Sequence, residues 1–140
     1  AVQVRLPRVW PVHPRSAKRL AETGLGKKLE AAGARLIEPQ PYIRFMSLVL
    51  GAAAAITDSG GIQEETTYLG IPCLTLRENT ERPITIDEGT NQLVTAGSLM
   101  ADLEAALARP KHQRARPEFW DGATAARCVA DLRARSASTT

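Results

Sequence analysis

The chain is 140 residues long, with 44% hydrophobic, 24% charged and 4% aromatic residues and a formal net charge of +3. That is one layered unit's worth of ordinary globular sequence, long enough to bury a core, and it excludes a wholly disordered chain. The charge excess is mild and lacks the aromatic interleaving of single-strand binders, so an anionic small molecule is expected as partner and nucleic acid is not.

The longest uncharged apolar run, Leu48 to Ile56, falls far short of the ~20 residues a membrane-crossing helix needs, and no secretion signal opens the sequence. No membrane partner is expected. Cys73 and Cys128 have no metal or disulfide spacing and read as small buried hydrophobes in a reducing cytoplasm. Neither a metal nor a cofactor is expected. The densest basic cluster, Arg109 to Arg116, is interrupted by Pro110 and followed by Pro117, and reads as a solvated connection.

In chain order, Leu6 to His13 reads as extended and ends on Pro11-Val12-His13-Pro14. Ser16 is placed to cap a helix through Leu20, which Gly24 and Gly26 interrupt before Lys27 to Ala32 resumes it. Arg35 to Ile37 follows as a short strand. The apolar residues Ile43, Phe45, Met46, Val49 and Leu50 fall at helical spacing, so Tyr42 to Leu50 reads as a half-buried helix. A strand from Ala54 to Thr57 leads to the glycine pair Gly60-Gly61, and Gly61 to Leu69 reads as a helix closed by Gly70 and Pro72. Cys73 to Leu76 is a strand, Arg77 to Pro83 a charged loop, Asn91 to Thr95 a short strand, and Ser98 or a neighbour starts a helix to Leu107. Asp121 is placed to cap a last helix with an apolar stripe at Ala125, Ala126, Val129, Ala130 and Leu132. Ser136 to Thr140 reads as a disordered tail. Alternating strands and helices predict an α/β fold, a Rossmann-like parallel sheet with helices on both faces. Ligands of such sheets sit outside the carboxyl ends of the strands, where Pro11 to Pro14, Asp58 to Gly61 and Arg77 to Arg82 fall.

A strand that stops at two glycines and restarts as a helix gathers unpaired N–H groups and the positive end of a helix dipole, which attract phosphate. Gly60 and Gly61 lack a Cβ, so a pyrophosphate can approach their amides closely and the backbone is free to take positive φ. Ser59 can donate a hydroxyl hydrogen bond to phosphate, whereas Asp58 is better suited to accept one within the turn. Glu65, four residues after Gly61 and about 6 Å further along the axis, is placed for a ribose diol. Glu64 competes for that role, and spacing does not separate them; both also suit the dipole of the first turn. Arg82, on a loop stiffened by Pro83, can neutralise a pyrophosphate or pair with Glu78 or Glu81 at the surface. His13 has no partner in sequence for catalysis, and Phe45 belongs by default to a packing stripe.

Pro11-Val12-His13-Pro14, Thr57 to Glu65, Leu69 to Arg77 and Asn79-Thr80-Glu81-Arg82-Pro83 together resemble the non-hydrolysing UDP-N-acetylglucosamine 2-epimerase family. Gly89-Thr90-Asn91 and Trp120-Asp121-Gly122 extend the likeness. The resemblance implies most of the second domain of a glycosyltransferase-B-type fold, over residues 1–135, with UDP held mainly there. It implies interconversion of UDP-N-acetylglucosamine and UDP-N-acetylmannosamine by elimination and re-addition of UDP, in the cytoplasm, for cell-envelope polysaccharide synthesis. By position, Ser59, Gly60 and Gly61 contact the diphosphate, Glu65 the ribose, Arg82 the phosphate charge, Phe45 the uracil, and His13 the nucleotide-sugar cleft or a neighbouring effector site. The family's proton-transfer carboxylates and a His-Arg-Arg-Glu-like segment have no counterpart in this sequence. The chain therefore reads as a partial epimerase, with no catalytic residue of its own, that needs a missing N-terminal domain or companion chain. The full-length enzyme is expected to be a homo-oligomer, a dimer. A non-catalytic nucleotide-sugar-binding module and the donor half of a glycosyltransferase are the alternatives.

Overall fold

The computed structural model describes residues 6–108 and 117–137. The basic cluster from Arg109 to Arg116 therefore lies outside the described residues. Where the sequence suggests one layered unit, the chain divides into two compact units, Ala1–Gly51 and Ala52–Thr140.

In the first unit, β1 (Arg8–Pro11) pairs in parallel with β2 (Ala34–Ile37), Arg8 opposite Ala34 and Pro11 opposite Ile37. The crossover consists of α1 (Pro14–Thr23) and α2 (Leu25–Ala31). The cap of α1 is His13, whose Nδ1 accepts from the Arg15 N–H at 3.3 Å, and not Ser16. Pro14 explains the earlier start, since its fixed φ suits the first helical position and its missing N–H costs nothing there. Gly24 at φ 66° ends α1, while Gly26 sits inside α2. Helix α3 (Tyr42–Leu50) has the expected span, yet Val49 is its sole buried residue and Ile43 is 75% exposed.

In the second unit, β3 (Ala55–Thr57), β4 (Cys73–Thr75) and β5 (Asn91–Leu93) form a parallel sheet in that order. Ala55 faces Cys73, and Cys73 faces Asn91. Helix α4 (Gly60–Leu69) joins β3 to β4, and α5 (Ile84–Asp87) interrupts the connection from β4 to β5. Helix α6 (Leu99–Ala108) follows, and α7 (Thr124–Ala137) is the last described element. Ser136 and Ala137, expected in a loose tail, are the last turn of α7, because the helix has no glycine or proline there to stop it.

Side chains pack on this sheet in two different ways. Leu74, Val94 and Ala106 form an apolar cluster with Leu99 and Leu103 of α6 against it. Burying a leucine such as Leu74 contributes about 2 kcal/mol. Helix α4 presents a polar face instead: Gln63, Thr66 and Thr67, at i, i+3 and i+4, are all fully buried. Gly70 closes α4 at φ 71°, where an L side chain would be strained. Gly89 is required for space: a Cβ there would lie 2.3 Å from the Thr85 carbonyl oxygen and 2.5 Å from Thr67 Oγ1.

Cys73 is buried, and burial pushes its thiol pKa up. Cys128 is exposed, which corrects the expectation that both cysteines are buried. The apolar stripe of α7 faces solvent as well; no residue of that helix is buried, and Val129 and Leu132 are both exposed. No helix among the described residues is long and apolar enough to cross a membrane.

Candidate functional site

The carboxyl end of β3 runs directly into the first turn of α4. The turn is tied by the Ser59 N–H donating to Thr57 Oγ1 at 3.0 Å, so Thr57 supplies the acceptor expected from Asp58. Ser59 occupies the cap position of α4 in extended backbone, but its side chain makes no capping bond. The first amides of α4 are thus left without a side-chain acceptor, on the positive end of the helix dipole. Gly60 and Gly61 do not use the positive φ open to them, because α4 has already begun at Gly60.

The two glycines face different surroundings. A Cβ on Gly61 would meet nothing within 4 Å, whereas one on Gly60 would lie 2.7 Å from Glu81 Oε1. The charged loop after β4 therefore folds over the start of α4 and lays a carboxylate against it. Arg77 donates from Nη1 to Glu81 Oε2 at 2.9 Å. A hydrogen bond from its own backbone amide, then the charges of Arg77 and Arg82, hold the Glu81 carboxyl below its ordinary pKa.

Arg82 pairs with Glu64, and not with Glu78 or Glu81: its Nε is 3.0 Å from Glu64 Oε1. That nitrogen is shielded from solvent and not aligned to donate a hydrogen bond, so the pair is Coulombic. With both side chains about 40% exposed, such a pair contributes about 0–1 kcal/mol. Glu64, Glu81, Arg77 and Arg82 form a charge-balanced quartet around the glycine turn. Glu65 is half-buried one position further along α4.

Beneath the turn lies a network of buried amides and hydroxyls that sequence reasoning missed. Gln63 Oε1 accepts from Thr80 Oγ1 at 2.6 Å and from Asn91 Nδ2 at 3.0 Å, while Gln63 Nε2 donates to the Ser59 carbonyl at 3.3 Å. Asn91 Nδ2 also donates to Thr85 Oγ1 at 3.1 Å, and its Oδ1 accepts from Thr75 Oγ1 at 2.6 Å. Thr80 Oγ1 in turn accepts from the Arg82 N–H at 3.0 Å, and Thr85 Oγ1 donates to the Arg82 carbonyl at 2.7 Å. The available signal was Gln63 lying four residues after the cap Ser59, the spacing that returns a side chain to the same helix face.

Ser59, Gly60, Gly61, Glu65 and Arg82 are thus gathered within the second unit, whereas His13 and Phe45 belong to the first. His13 is exposed and serves as the cap of α1; Phe45 is half-buried in α3. A groove of about 320 Å³ beside β5, lined by Pro72, Leu74, Ile86, Asn91, Gln92 and Ala106 among others, shares Asn91 with the buried network but includes no residue of the turn or of the charged quartet. Pro72 precedes β4 and Asn91 opens β5, so the groove lies toward the amino ends of the strands, away from the turn. Among the described residues no group of three or more His, Cys, Asp or Glu could hold a metal ion.

The UDP-N-acetylglucosamine 2-epimerase family profile matches residues 1–133. A UDP-N-acetylglucosamine 2-epimerase of Methanococcus maripaludis is 50% identical over 91 residues, 64% of this chain and 24% of that protein. A probable UDP-N-acetylglucosamine 2-epimerase of Ralstonia solanacearum is 38% identical over 133 residues, 90% of this chain and 35% of that protein. Among solved structures, UDP-GlcNAc 2-epimerase of Methanocaldococcus jannaschii in complex with UDP-GlcNAc and UDP superimposes with a TM-score of 0.73 at 36% identity. That match covers 87% of this chain and 35% of the other. The chain therefore spans about a quarter to a third of the length of these relatives. The α/β class holds: parallel sheets flanked by helices, as in the GT-B-like epimerases. With the family profile covering residues 1–133 of the 140, the chain belongs to the UDP-N-acetylglucosamine 2-epimerase family.

Proposed function

We propose that this chain is the UDP-binding portion of an enzyme that interconverts UDP-N-acetylglucosamine and UDP-N-acetylmannosamine. The observation that carries the reading is the first turn of α4, where Ser59 makes no capping bond, a Cβ on Gly61 would meet nothing within 4 Å, and Arg82 is held 3.0 Å from Glu64 of the same helix. A diphosphate seated there accepts from the amides of Gly60 and Gly61 and from the Ser59 hydroxyl. It also competes with Glu64 and Glu81 for the guanidinium groups of Arg82 and Arg77, trading a carboxylate partner for a phosphate one. Glu65 is the carboxylate assigned to the ribose hydroxyls, by family position. By family position alone, Phe45 is assigned to the uracil and His13 to the nucleotide-sugar cleft or a neighbouring effector site.

In the chemistry proposed, UDP leaves by elimination and returns on the other face of the sugar. This chain's share is to bind the leaving group and stabilise its negative charge as the bond to the sugar breaks. Moving the proton at carbon requires carboxylates held within hydrogen-bond reach of it, and those are assigned to a further domain or companion chain. Calorimetric titration with UDP is expected to give saturable binding that weakens at least fivefold in Ser59→Ala and in Glu65→Ala. Absence of binding by the unsubstituted chain would overturn the reading. Incubation with UDP-N-acetylglucosamine, followed by proton NMR, is expected to yield no mannosamine epimer; turnover would place proton-transfer groups within these residues.

A further inference from the structure

We propose that Gln63 is a positioning residue that sets the glycine turn and the Arg82 loop in register through its side-chain amide. Gln63 is fully buried, on the inner face of α4. A buried amide carries two donor hydrogens and one acceptor oxygen, and leaving any of them unpaired is costly. Here the nitrogen donates to the carbonyl of Ser59, the cap residue of the turn, and the oxygen receives the Thr80 hydroxyl. Thr80 Oγ1 then holds the backbone N–H of Arg82. One planar group thus joins the backbone at the start of α4 to the backbone from which Arg82 springs.

Asn91 supports it from the sheet. Its nitrogen donates to the same Gln63 oxygen and to Thr85 Oγ1, whose own hydrogen goes to the Arg82 carbonyl. Arg82 is therefore held at its N–H through Thr80 and at its carbonyl through Thr85, and both paths converge on Gln63. A residue that served packing alone would fill this space equally well with methylenes. The hydrogen-bond directions instead fix a loop that has little apolar anchorage of its own. The consequence for ligand affinity rests on the diphosphate reading of the turn; the positioning of Arg82 does not.

The test uses two variants, Gln63→Met, which keeps length and volume but removes both amide functions, and Thr80→Val, a near-isosteric change in the half-buried loop. NMR measures hydrogen exchange at the Arg82 Nε–H, whose nitrogen is shielded from solvent in the unsubstituted chain. Exchange there is expected to speed up at least tenfold in both variants, while the β-ladder amides of Cys73 and Val94 stay within twofold. UDP affinity is expected to fall at least tenfold, and more than affinity for UMP. Unchanged Arg82 exchange in a folded variant would overturn the proposal, whatever happens to UDP. If Gln63→Met fails to fold, Thr80→Val decides alone. If the unsubstituted chain binds no UDP, the diphosphate reading fails and the exchange data still decide the positioning role.

Discussion

At the scale of single residues, one methyl group distinguishes the glycines of the second unit. At Gly61 an added Cβ meets open space and the backbone is helical, so Gly61→Ala is expected to raise stability by about 0.5–1 kcal/mol through the unfolded chain. The same methyl occupies the position from which a diphosphate would approach the amide, so UDP affinity is expected to drop at least tenfold. Urea denaturation and calorimetry on one variant read both effects; retained affinity would move the phosphate away from Gly61. Gly89→Ala is the opposite case, because its Cβ would collide with the Thr85 backbone and with Thr67. Overpacking against backbone is expected to cost about 3 kcal/mol by urea denaturation. A loss under about 0.5 kcal/mol would show that the α5 turn yields freely.

At the scale of elements, the turn before α7 makes a pH prediction. Asp121 Oδ1 accepts from the Ala123 N–H at 2.9 Å, and the carboxylate receives two guanidinium nitrogens of Arg127, which stacks 5.0 Å from the centroid of the Phe119 ring. Arg127, then the Ala123 amide, holds the Asp121 pKa down, at about 2 against an ordinary 3.8. A depressed carboxylate stabilises the folded state fully above its unfolded value and loses that contribution as pH falls through the folded one. The turn is therefore expected to loosen between about pH 4 and pH 2, and an NMR titration of the Asp121 carboxyl should have its midpoint near 2. A midpoint near 3.8 would mean that Arg127 does not hold it in solution.

The same scale shows what was legible in the sequence. Helix α3 was legible to the residue, because apolar spacing and the proline before Tyr42 mark its span. The order β3, turn, α4, β4 was legible within a residue at each boundary, because Gly60, Gly70 and Pro72 act locally. Helix α5 was not: four residues after Pro83 carry no period. Nor was the Gln63 network, since Gln63, Thr75, Thr85 and Asn91 are polar and hydropathy places polar residues outside. Their burial depends on partners brought together from separate elements, up to 28 positions apart in sequence. The capping role of His13 was not legible, because it depends on Pro14 opening α1.

At the scale of the molecule, the two thiols report on folding separately. A maleimide reagent is expected to label the exposed Cys128 in the native protein and Cys73 only in denaturant. Labelling of both without denaturant would mean that β4 opens readily in solution, contrary to its full burial. The family relatives are well over twice as long as this chain, and the stripe at Val129 and Leu132 on α7 is exposed here.

The quartet of Glu64, Glu81, Arg77 and Arg82 has a consequence for how the turn responds to ionic strength. A bare cationic cradle loses affinity steeply as salt screens it. Here each guanidinium already faces a carboxylate, so salt weakens the resident pair along with the incoming one. The two losses offset, and nucleotide affinity at this turn should change little between low and physiological salt, as in an ion exchanger that swaps one anion for another.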